Sequence, residues 1–286
     1  MNRDLIRAFE FVSKKYLKKY KKFPNIKNIL FTNKWNIVIT EKNIVGMAFN
    51  FTGEHDIYKQ NIDVEKIKFY NNFIFKSLST FVEYLFKYEN IQDRAFILAS
   101  INAMSQELLI EEVQNNNLDY TYNNSMDFIK DEFVVTVVGY GMLIDKLQGR
   151  CKELNIVDKR EELCLRTLVL DGDIHYEPGD INFYKDISEG NLTEKTDVLI
   201  LTGSTLVNGT YERIISGCKN LKEIGIFGPS AQILPEYLYS EGFNYIISKS
   251  IIDTDKYLKS IFNPLNSKYS KNEYMCMYSL YKKGRL

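Results

Sequence analysis

The sequence predicts an α/β protein in which a small α+β domain precedes a Rossmann-like domain with a mostly parallel sheet and helices on both faces. In the second half of the chain, short apolar runs alternate with helical segments, which is typical of a parallel sheet covered on both sides. In the first half, two β-rich runs stand among amphipathic helical segments. A chain of 286 residues is also long enough to bury two hydrophobic cores.

Composition excludes several classes of protein. The 37 Lys and Arg residues balance the 37 Asp and Glu residues, and 45% of the chain is hydrophobic. A disordered chain would be less hydrophobic, and a dedicated nucleic-acid or membrane-surface binder would carry an excess of positive charge. We therefore expect a small-molecule or metal ligand as the partner, with neither nucleic acid nor membrane, and a homo-oligomer is compatible with the sequence.

The cysteines and the first residues predict a reducing compartment. The opening residues are charged where a signal peptide would be apolar, and no apolar stretch reaches the length of a membrane span. Cys151, Cys164, Cys218 and Cys276 are widely scattered, without the spacing of a zinc site. We expect a cytoplasmic protein whose thiols are reduced and serve as small buried side chains.

The chain opens with a predicted amphipathic helix. Its apolar residues recur at intervals of three or four, which places them on one helical face. They are Leu5, Phe9, Val12, Tyr16 and Tyr20. Lysines occupy the other faces, and we expect the acidic stretch between Glu107 and Glu132 to complement them, within the fold or in an oligomer.

A β-hairpin and two helices follow in the predicted first domain. Residues 35–51 form two β-rich runs around a polar turn, and residues 73–88 and 93–113 carry apolar residues at helical spacing. Residues 114–127 are rich in turn-forming residues, which is typical of a connection between domains.

The predicted domains are residues 1–128 and 129–286. The predicted strands of the second domain are 133–138, 154–157, 197–201, 223–227 and 245–248. Its main predicted helices are 211–218, 233–241 and 253–262. In such a sheet, ligands bind where the carboxyl ends of the strands meet the following loops.

The first of these loops resembles part of a nucleotide-binding fingerprint. Gly139, Tyr140 and Gly141 follow the first strand, and Asp158 follows the next strand. In the fingerprint, an acidic residue at about this position binds the ribose of the cofactor. No third glycine follows at the usual distance. The loop therefore supports either a nicotinamide or S-adenosyl cofactor at Gly139, Gly141 and Asp158, or a tight turn that only admits close packing.

The loop after the third strand is the richest in polar groups. Its residues of interest are Thr202, Gly203, Ser204, Thr205, Asn208, Gly209 and Thr210. Hydroxyl groups and glycine-exposed N–H groups at this position fit a carboxylate or phosphate, although Asn208 or Thr210 could instead cap the next helix. Gly228, Pro229 and Ser230 repeat the arrangement on the following strand, with Ser230 as a candidate N-cap.

An acidic segment offers potential metal ligands. Asp171, Asp173, His175 and Glu177 alternate along the chain and would share one face of a strand. Asp171 and His175 would lie roughly 13 Å apart on a straight strand, so one ion could take only neighbours from the set, such as Asp173, His175 or Glu177. The alternative is a solvated acidic turn, and His55 is likewise expected to be exposed.

Several of these segments resemble a known family, the heavy-metal chelation proteins. The strongest matches are residues 196–213, beginning T-D-V-L-I-L-T-G-S-T, and residues 224–235, beginning I-G-I-F-G-P-S. Supporting matches are residues 137–147, 177–180, 44–49 and 99–104. The resemblance therefore extends over nearly the whole chain.

The resemblance implies an enolase N-terminal-like domain joined to a Rossmann-like domain, with a ligand site in the cleft between them. Asn102 of the small domain would face the loops at Gly139, at residues 202–210 and at residues 228–230. The implied function is binding or chelation of a heavy metal, or of an anionic or metal-containing small molecule, with a metal ion or metal chelate as the bound group. Whether the ligand is turned over stays open, and an enzyme with a nucleotide-type cofactor is the alternative.

Overall fold

The mixed α/β class is confirmed by the computed structural model. It describes residues 3–52, 63–88, 90–114, 126–141, 143–162, 167–170, 173–176, 181–262 and 273–282. The strands are β1 Ile26–Phe31, β2 Trp35–Thr40, β3 Val45–Phe49, β4 Val134–Val138, β5 Glu153–Val157, β6 Thr167–Leu170, β7 Asp173–Tyr176, β8 Ile181–Tyr184, β9 Val198–Thr202, β10 Glu223–Phe227, β11 Tyr245–Ile251 and β12 Met275–Tyr281. The helices are α1 Arg3–Tyr20, α2 Val64–Tyr70, α3 Leu78–Leu85, α4 Ile91–Gln114, α5 Ile144–Leu147, α6 Leu192–Lys195, α7 Ser204–Val207, α8 Tyr211–Gly217, α9 Pro235–Ser240 and α10 Thr254–Phe262.

The larger sheet has seven strands in the order β12-β11-β10-β9-β4-β5-β8. All neighbouring pairs are parallel except β11 with β12. The five strands predicted from the sequence form its continuous centre, and their buried apolar runs explain why the prediction succeeded. The carboxyl ends of six parallel strands consequently meet at one edge of this sheet.

The smaller sheet is an antiparallel meander in the order β1-β2-β3. The predicted hairpin corresponds to β2 and β3, and β1 was not predicted. Strand β3 is buried at all five positions, because α4 packs directly against it. Gly46 makes this approach possible: a Cβ there would lie 2.0 Å from the carbonyl oxygen of Ala99 and 2.2 Å from the nitrogen of Ala103.

Helix α4 lies at the centre of the molecule. It has 24 residues, and the side chains from Ala95 to Ala99 are wholly buried on successive faces, so it contacts neighbours all round. It packs on the small sheet and on α1, and it also meets the loop elements after β9 and β10. No helix among the described residues combines the length and hydrophobicity that a membrane span needs.

The predicted helix over residues 73–88 is wrong in its first part. Instead, α2 ends at Tyr70, a 3₁₀ turn follows, and α3 begins only at Leu78. The intervening backbone pairs with the start of β1: Phe75 N donates to Ile26 O at 2.7 Å, and Ile26 N donates to Lys76 O at 2.9 Å. Pairing with a strand distant in sequence thus overrides the local helical spacing.

One hydrophobic core connects the two sheets. The same cluster of buried residues includes Leu5 of α1, Phe96 of α4, Leu199 of β9 and Leu280 of β12. The two halves of the chain therefore share buried contacts, and the boundary between residues 128 and 129 stays a prediction. Cys151, Cys218 and Cys276 are not disulfide-bonded, and Cys164 lies outside the described residues.

The lysine-bearing helix α1 docks on acidic side chains from the second half of the chain. Lys15 pairs with Glu236 at 2.5 Å, and Arg7 pairs with Glu212 and Glu241. The acidic stretch between residues 107 and 132 was expected to face this helix. It does so in part, since Glu107 accepts a hydrogen bond from the Tyr16 hydroxyl at 2.7 Å. Residues 115–125 of this stretch lie outside the described residues.

Candidate functional site

A cavity of about 400 Å³ opens at the carboxyl edge of the seven-stranded sheet. Its floor is formed by residues at or after the carboxyl ends of β4, β5, β8, β9 and β10 and by residues 247–249 of β11. Its cover is formed by Trp35 and Phe49 of the small sheet and by Phe51, which follows β3. We refer to these three side chains as the aromatic roof. The volume lies in the range of small-molecule sites and is more than ten times the ~30 Å³ of one water molecule.

The predicted loop residues fall into two groups. Those that line the cavity are Gly139, Tyr140, Gly141, Asp158, Thr202, Gly203, Ser204, Thr205, Asn208, Thr210, Gly228, Pro229 and Ser230. Asn102 and Gly209 do not line it. A Cβ at Gly209 would approach the Arg94 guanidinium to 3.0 Å, so this glycine makes room for a buried arginine.

The glycines after β4 allow close packing between strands. Gly139 has a φ of +93°, and a Cβ there would lie 2.7 Å from the methyl carbon of Thr202. A Cβ at Gly141 would lie 3.1 Å from the Phe227 ring. These contacts match the second alternative from the sequence, in which the glycines form a tight turn that permits close packing.

Asp158 is hydrogen-bonded within the protein on both carboxylate oxygens. Oδ2 accepts from Tyr140 N and from an Arg160 guanidinium nitrogen, both at 2.8 Å. Oδ1 accepts from Arg160 N at 2.9 Å and from Arg160 Nε at 3.0 Å. The group expected to hold a ribose is therefore already occupied with holding the loop after β4 to the loop after β5.

These hydrogen bonds also shift the acidity of Asp158. Burial alone would raise its pKa, but the hydrogen bonds from Arg160 and Tyr140 outweigh burial and bring the pKa below the ordinary value of 3.8. Because the folded-state pKa is the lower one, the stabilisation is complete above about pH 3.8 and is lost as the pH falls through the folded-state pKa.

Asp158→Asn should therefore destabilise the protein at pH 7, by about 1–3 kcal/mol, since the Arg160 guanidinium would lose its carboxylate partner. The difference from the wild type should shrink as the pH is lowered below 3.8. Urea unfolding across this pH range measures both effects. Asp145→Asn, at an exposed carboxyl, controls for the loss of one negative charge, and a pH-independent difference for Asp158→Asn would contradict the assignment.

The polar loop after β9 is held by its own side chains. Thr205 Oγ1 donates to Thr202 O at 2.7 Å, and Asn208 Oδ1 accepts from Thr210 N at 3.2 Å and from its hydroxyl at 2.7 Å. Thr210 occupies the N-cap of α8 without a capping hydrogen bond from its side chain. The expected cap is thus replaced by an Asx turn that fixes the loop, while Thr202, Ser204 and Asn208 still face the cavity.

Ser230 and Asn102 fasten the small sheet to the large one. Ser230 was expected to cap the next helix, but that helix begins at Pro235, and the Ser230 hydroxyl instead accepts from Phe49 N at 2.9 Å. Asn102 is wholly buried and donates to Met47 O at 2.7 Å and Ser230 O at 3.1 Å. It therefore lies behind the aromatic roof, with its amide nitrogen bonded to protein.

Gln232 adds to this attachment and was not singled out in the sequence. Its side-chain oxygen accepts from Met47 N at 3.0 Å, and its side-chain nitrogen donates to Lys249 O at 2.6 Å. Met47 N, Met47 O and Phe49 N of β3 are thereby bonded by side chains of α4 and of the turn after β10. No local sequence signal marks Gln232, because its role depends on contacts distant along the chain.

Positive charge dominates the ionisable side chains around the cavity. Two lining carboxylates, Asp158 and Asp186, stand against six cations. The cations are Lys34, Lys159, Arg160, Lys185, Arg213 and Lys249. Lys159 Nζ lies 3.7 Å from the Asp186 carboxylate, Arg160 is bound to Asp158, and Lys185 Nζ lies 3.4 Å from Glu161, which does not line the cavity. Among the lining residues alone, cations exceed carboxylates by four. Such a lining favours an anionic guest.

The predicted metal ligands are only partly within the described residues. Asp173 and His175 lie two residues apart on β7, which pairs with β6, while Asp171, Glu177 and His55 fall outside the described residues. Within the described part of the chain, no three His, Cys, Asp or Glu side chains come together as a metal site.

Comparison with known proteins agrees with this fold. An uncharacterized protein of Methanocaldococcus jannaschii is 26% identical over 202 residues, covering 70% of this chain and 71% of that protein. A solved protein of unknown function from the DUF364 family of Desulfitobacterium hafniense superposes with a TM-score of 0.68 at 16% identity, covering 96% of this chain and 98% of the other. A Pyrococcus horikoshii protein of the same family gives 0.60 at 20% identity, covering 96% and 100%.

Two family models match the chain itself. The DUF4213 model covers residues 15–105 and the DUF364 model covers residues 124–280, and both carry the description "Putative heavy-metal chelation". The second match takes in more than half of the chain, including every loop on the floor of the cavity. The chain therefore belongs to the DUF364 family.

Proposed function

We propose that this protein binds an anionic small molecule in the cavity between the two sheets, and that a heavy metal reaches it inside an anionic chelate. The observation that carries the proposal is the lining: six cations and two carboxylates surround the polar loops after β9 and β10. The family description supports the involvement of a metal.

The chemistry of the lining does not fit a bare metal ion. Lysine and arginine side chains repel cations, and thiolate, imidazole and carboxylate ligands do not converge among the described residues. A cavity of about 400 Å³ is also far larger than one ion requires. An anionic chelate fits both properties, since its own donors hold the metal while its outer oxygens meet the cations and hydroxyls.

Calorimetric titration with Ni²⁺ chloride, sodium citrate and a preformed Ni²⁺–citrate complex tests this proposal. Citrate and its nickel complex should bind, and Ni²⁺ alone should not bind in the cavity. Affinity should fall with added salt, because partly exposed charges are screened. Absence of citrate and complex binding, or equal binding of Ni²⁺ alone, would overturn the proposal.

Arg213→Gln is expected to weaken citrate binding about tenfold, because it removes one of the lining cations without removing a buried side chain. Lys219→Gln is the matched control, since Lys219 is 68% exposed, pairs with Glu194 and does not line the cavity. Equal affinities of the two variants would show that citrate binds elsewhere.

The enzyme alternative makes a separate prediction. A nicotinamide or S-adenosyl compound at one hundred times its dissociation constant would stabilise the protein by about 2.7 kcal/mol. Thermal unfolding with each compound measures this directly. Because both carboxylate oxygens of Asp158 are already bonded within the protein, we expect these compounds not to stabilise it.

A further inference from the structure

The aromatic roof covers one end of the cavity. Across the sheet, β10 lies on one side of β9 and β4, and β5 and β8 lie on the other side. The aromatic roof is anchored above β10, because Phe49 N donates to Ser230 in the turn that follows this strand. The lining residue Phe227 ends β10 below it.

The opposite end of the cavity carries four cations and the two lining carboxylates, Asp158 and Asp186. Lys159 and Arg160 follow β5, and Lys185 follows β8. Hydrogen bonds from Ser188 lower the pKa of Asp186, which lies beside these residues, and the positive charges of Lys159 and of Arg213 on α8 lower it further. A guest that spans the cavity therefore meets the roof rings together with Lys34 and Lys249 at one end, and four cations with two carboxylates at the other.

The roof is built from three contacting rings. The Trp35 and Phe49 centroids lie 5.7 Å apart at 77°, and those of Phe49 and Phe51 lie 4.8 Å apart at 74°. Phe51 has a φ of +61°, a left-handed backbone conformation that bulky side chains rarely adopt. The chain thus turns sharply after β3 with an aromatic side chain at the turn.

We propose that the ligand is amphiphilic, with a flat aromatic group against the aromatic roof and anionic groups that meet the lysine and arginine side chains of the lining. This inference rests on the proposed function and narrows its ligand class. A wholly aliphatic anion could pair with the lining cations, but it would lose hydration against Trp35 and Phe227 without gaining a ring contact there. An aromatic ring gains both apolar burial and edge-to-face contacts at the same place.

Two tricarboxylates separate these possibilities. Benzene-1,2,4-tricarboxylate is flat and aromatic, and propane-1,2,3-tricarboxylate is aliphatic with the same number of carboxylates. We expect the aromatic probe to bind about tenfold more tightly by calorimetry. Because Trp35 is the only tryptophan of the chain, a change in its emission on binding would place the probe beside the roof.

Trp35→Leu should remove most of the preference for the aromatic probe and leave binding of the aliphatic probe nearly unchanged. Phe262→Leu is the control for loss of a ring, since Phe262 is 69% exposed and does not line the cavity. Thermal unfolding of each variant verifies that it is folded.

The outcomes distinguish this inference from the proposed function. Equal affinity of the wild type for both probes, or an aromatic preference that survives Trp35→Leu, would overturn the inference and leave anion binding intact. Failure of both probes to bind at millimolar concentration would overturn anion binding and the inference together.

Discussion

Gly46→Ala is expected to lower the free energy of unfolding by about 3 kcal/mol or more, at the upper end of overpacking effects. The added Cβ would fall 2.0 Å from Ala99 O and 2.2 Å from Ala103 N. Both atoms belong to the backbone of α4, so no side-chain rotation can relieve the contact. Helix and strand would have to separate, which would disturb the small sheet that carries the aromatic roof.

Denaturant unfolding measures this effect, with Gly217→Ala as the matched control. Gly217 lies at the end of α8, and the nearest atom to a Cβ there is 4.0 Å away. Alanine is also the better helix former, so the control should be neutral or slightly stabilising. If both variants lost similar stability, the close approach of β3 to α4 would be refuted.

Arg94→Met is expected to cost about 3–5 kcal/mol, the range for breaking a buried ion pair by removing one partner. Two guanidinium nitrogens of Arg94 bond the Asp4 carboxylate, at 2.6 and 3.2 Å, and Arg94 Nε donates to Val207 O at 2.5 Å. The side chains of Arg94 and Asp4 are only 9% and 11% exposed. Methionine would leave a buried carboxylate and a carbonyl without their donor.

The control for Arg94→Met is Arg7→Met. Arg7 is 47% exposed, and its partners Glu212 and Glu241 are 51% and 16% exposed, so its loss should cost about 1 kcal/mol, well below the loss expected for Arg94. Adding Asp4→Asn to Arg94→Met should recover part of the loss, because the unpaired buried charge disappears. A loss below about 1 kcal/mol for Arg94→Met would show that the pair is not buried in solution.

Arg94 also connects stability to the cavity. It holds the backbone at Leu206 and Val207, and the lining residues Thr205 and Asn208 flank this segment. Citrate affinity should therefore fall in Arg94→Met under conditions where the variant is still folded, although Arg94 does not line the cavity. The Arg7→Met variant should bind citrate as the wild type does.

The sequence pattern was sufficient to predict the strands that are buried on both faces, but it was insufficient to predict the strands at the edges of the sheet. Strands β4 (V-V-T-V-V) and β9 (V-L-I-L-T) are almost entirely apolar, so their pattern alone identifies them. Strand β8 reads I-N-F-Y with only partial burial, and β12 pairs antiparallel with β11 at an outer position. Such strands are defined by a neighbour far along the chain, and local patterns carry little information about it.

The same distinction applies to the candidate site. The loops after β4, β9 and β10 could be predicted because ligands bind at the carboxyl ends of parallel strands. The functions of individual side chains could not be predicted in this way. Ser230 bonds Phe49 N and Asn102 bonds Ser230 O, and each pair is more than 120 positions apart along the chain. The cations Lys159 and Arg160 directly follow a predicted strand, but a solvated surface would have the same sequence.

The side chains that satisfy β3 also protect this protein from unwanted self-assembly. β3 is an outer strand of its sheet, and open outer strands invite another chain to add on by backbone pairing. Here Ser230, Asn102 and Gln232 already bond Met47 and Phe49 of that edge. Replacing these residues by alanine would therefore expose a template for aggregation as well as loosen the cover of the cavity.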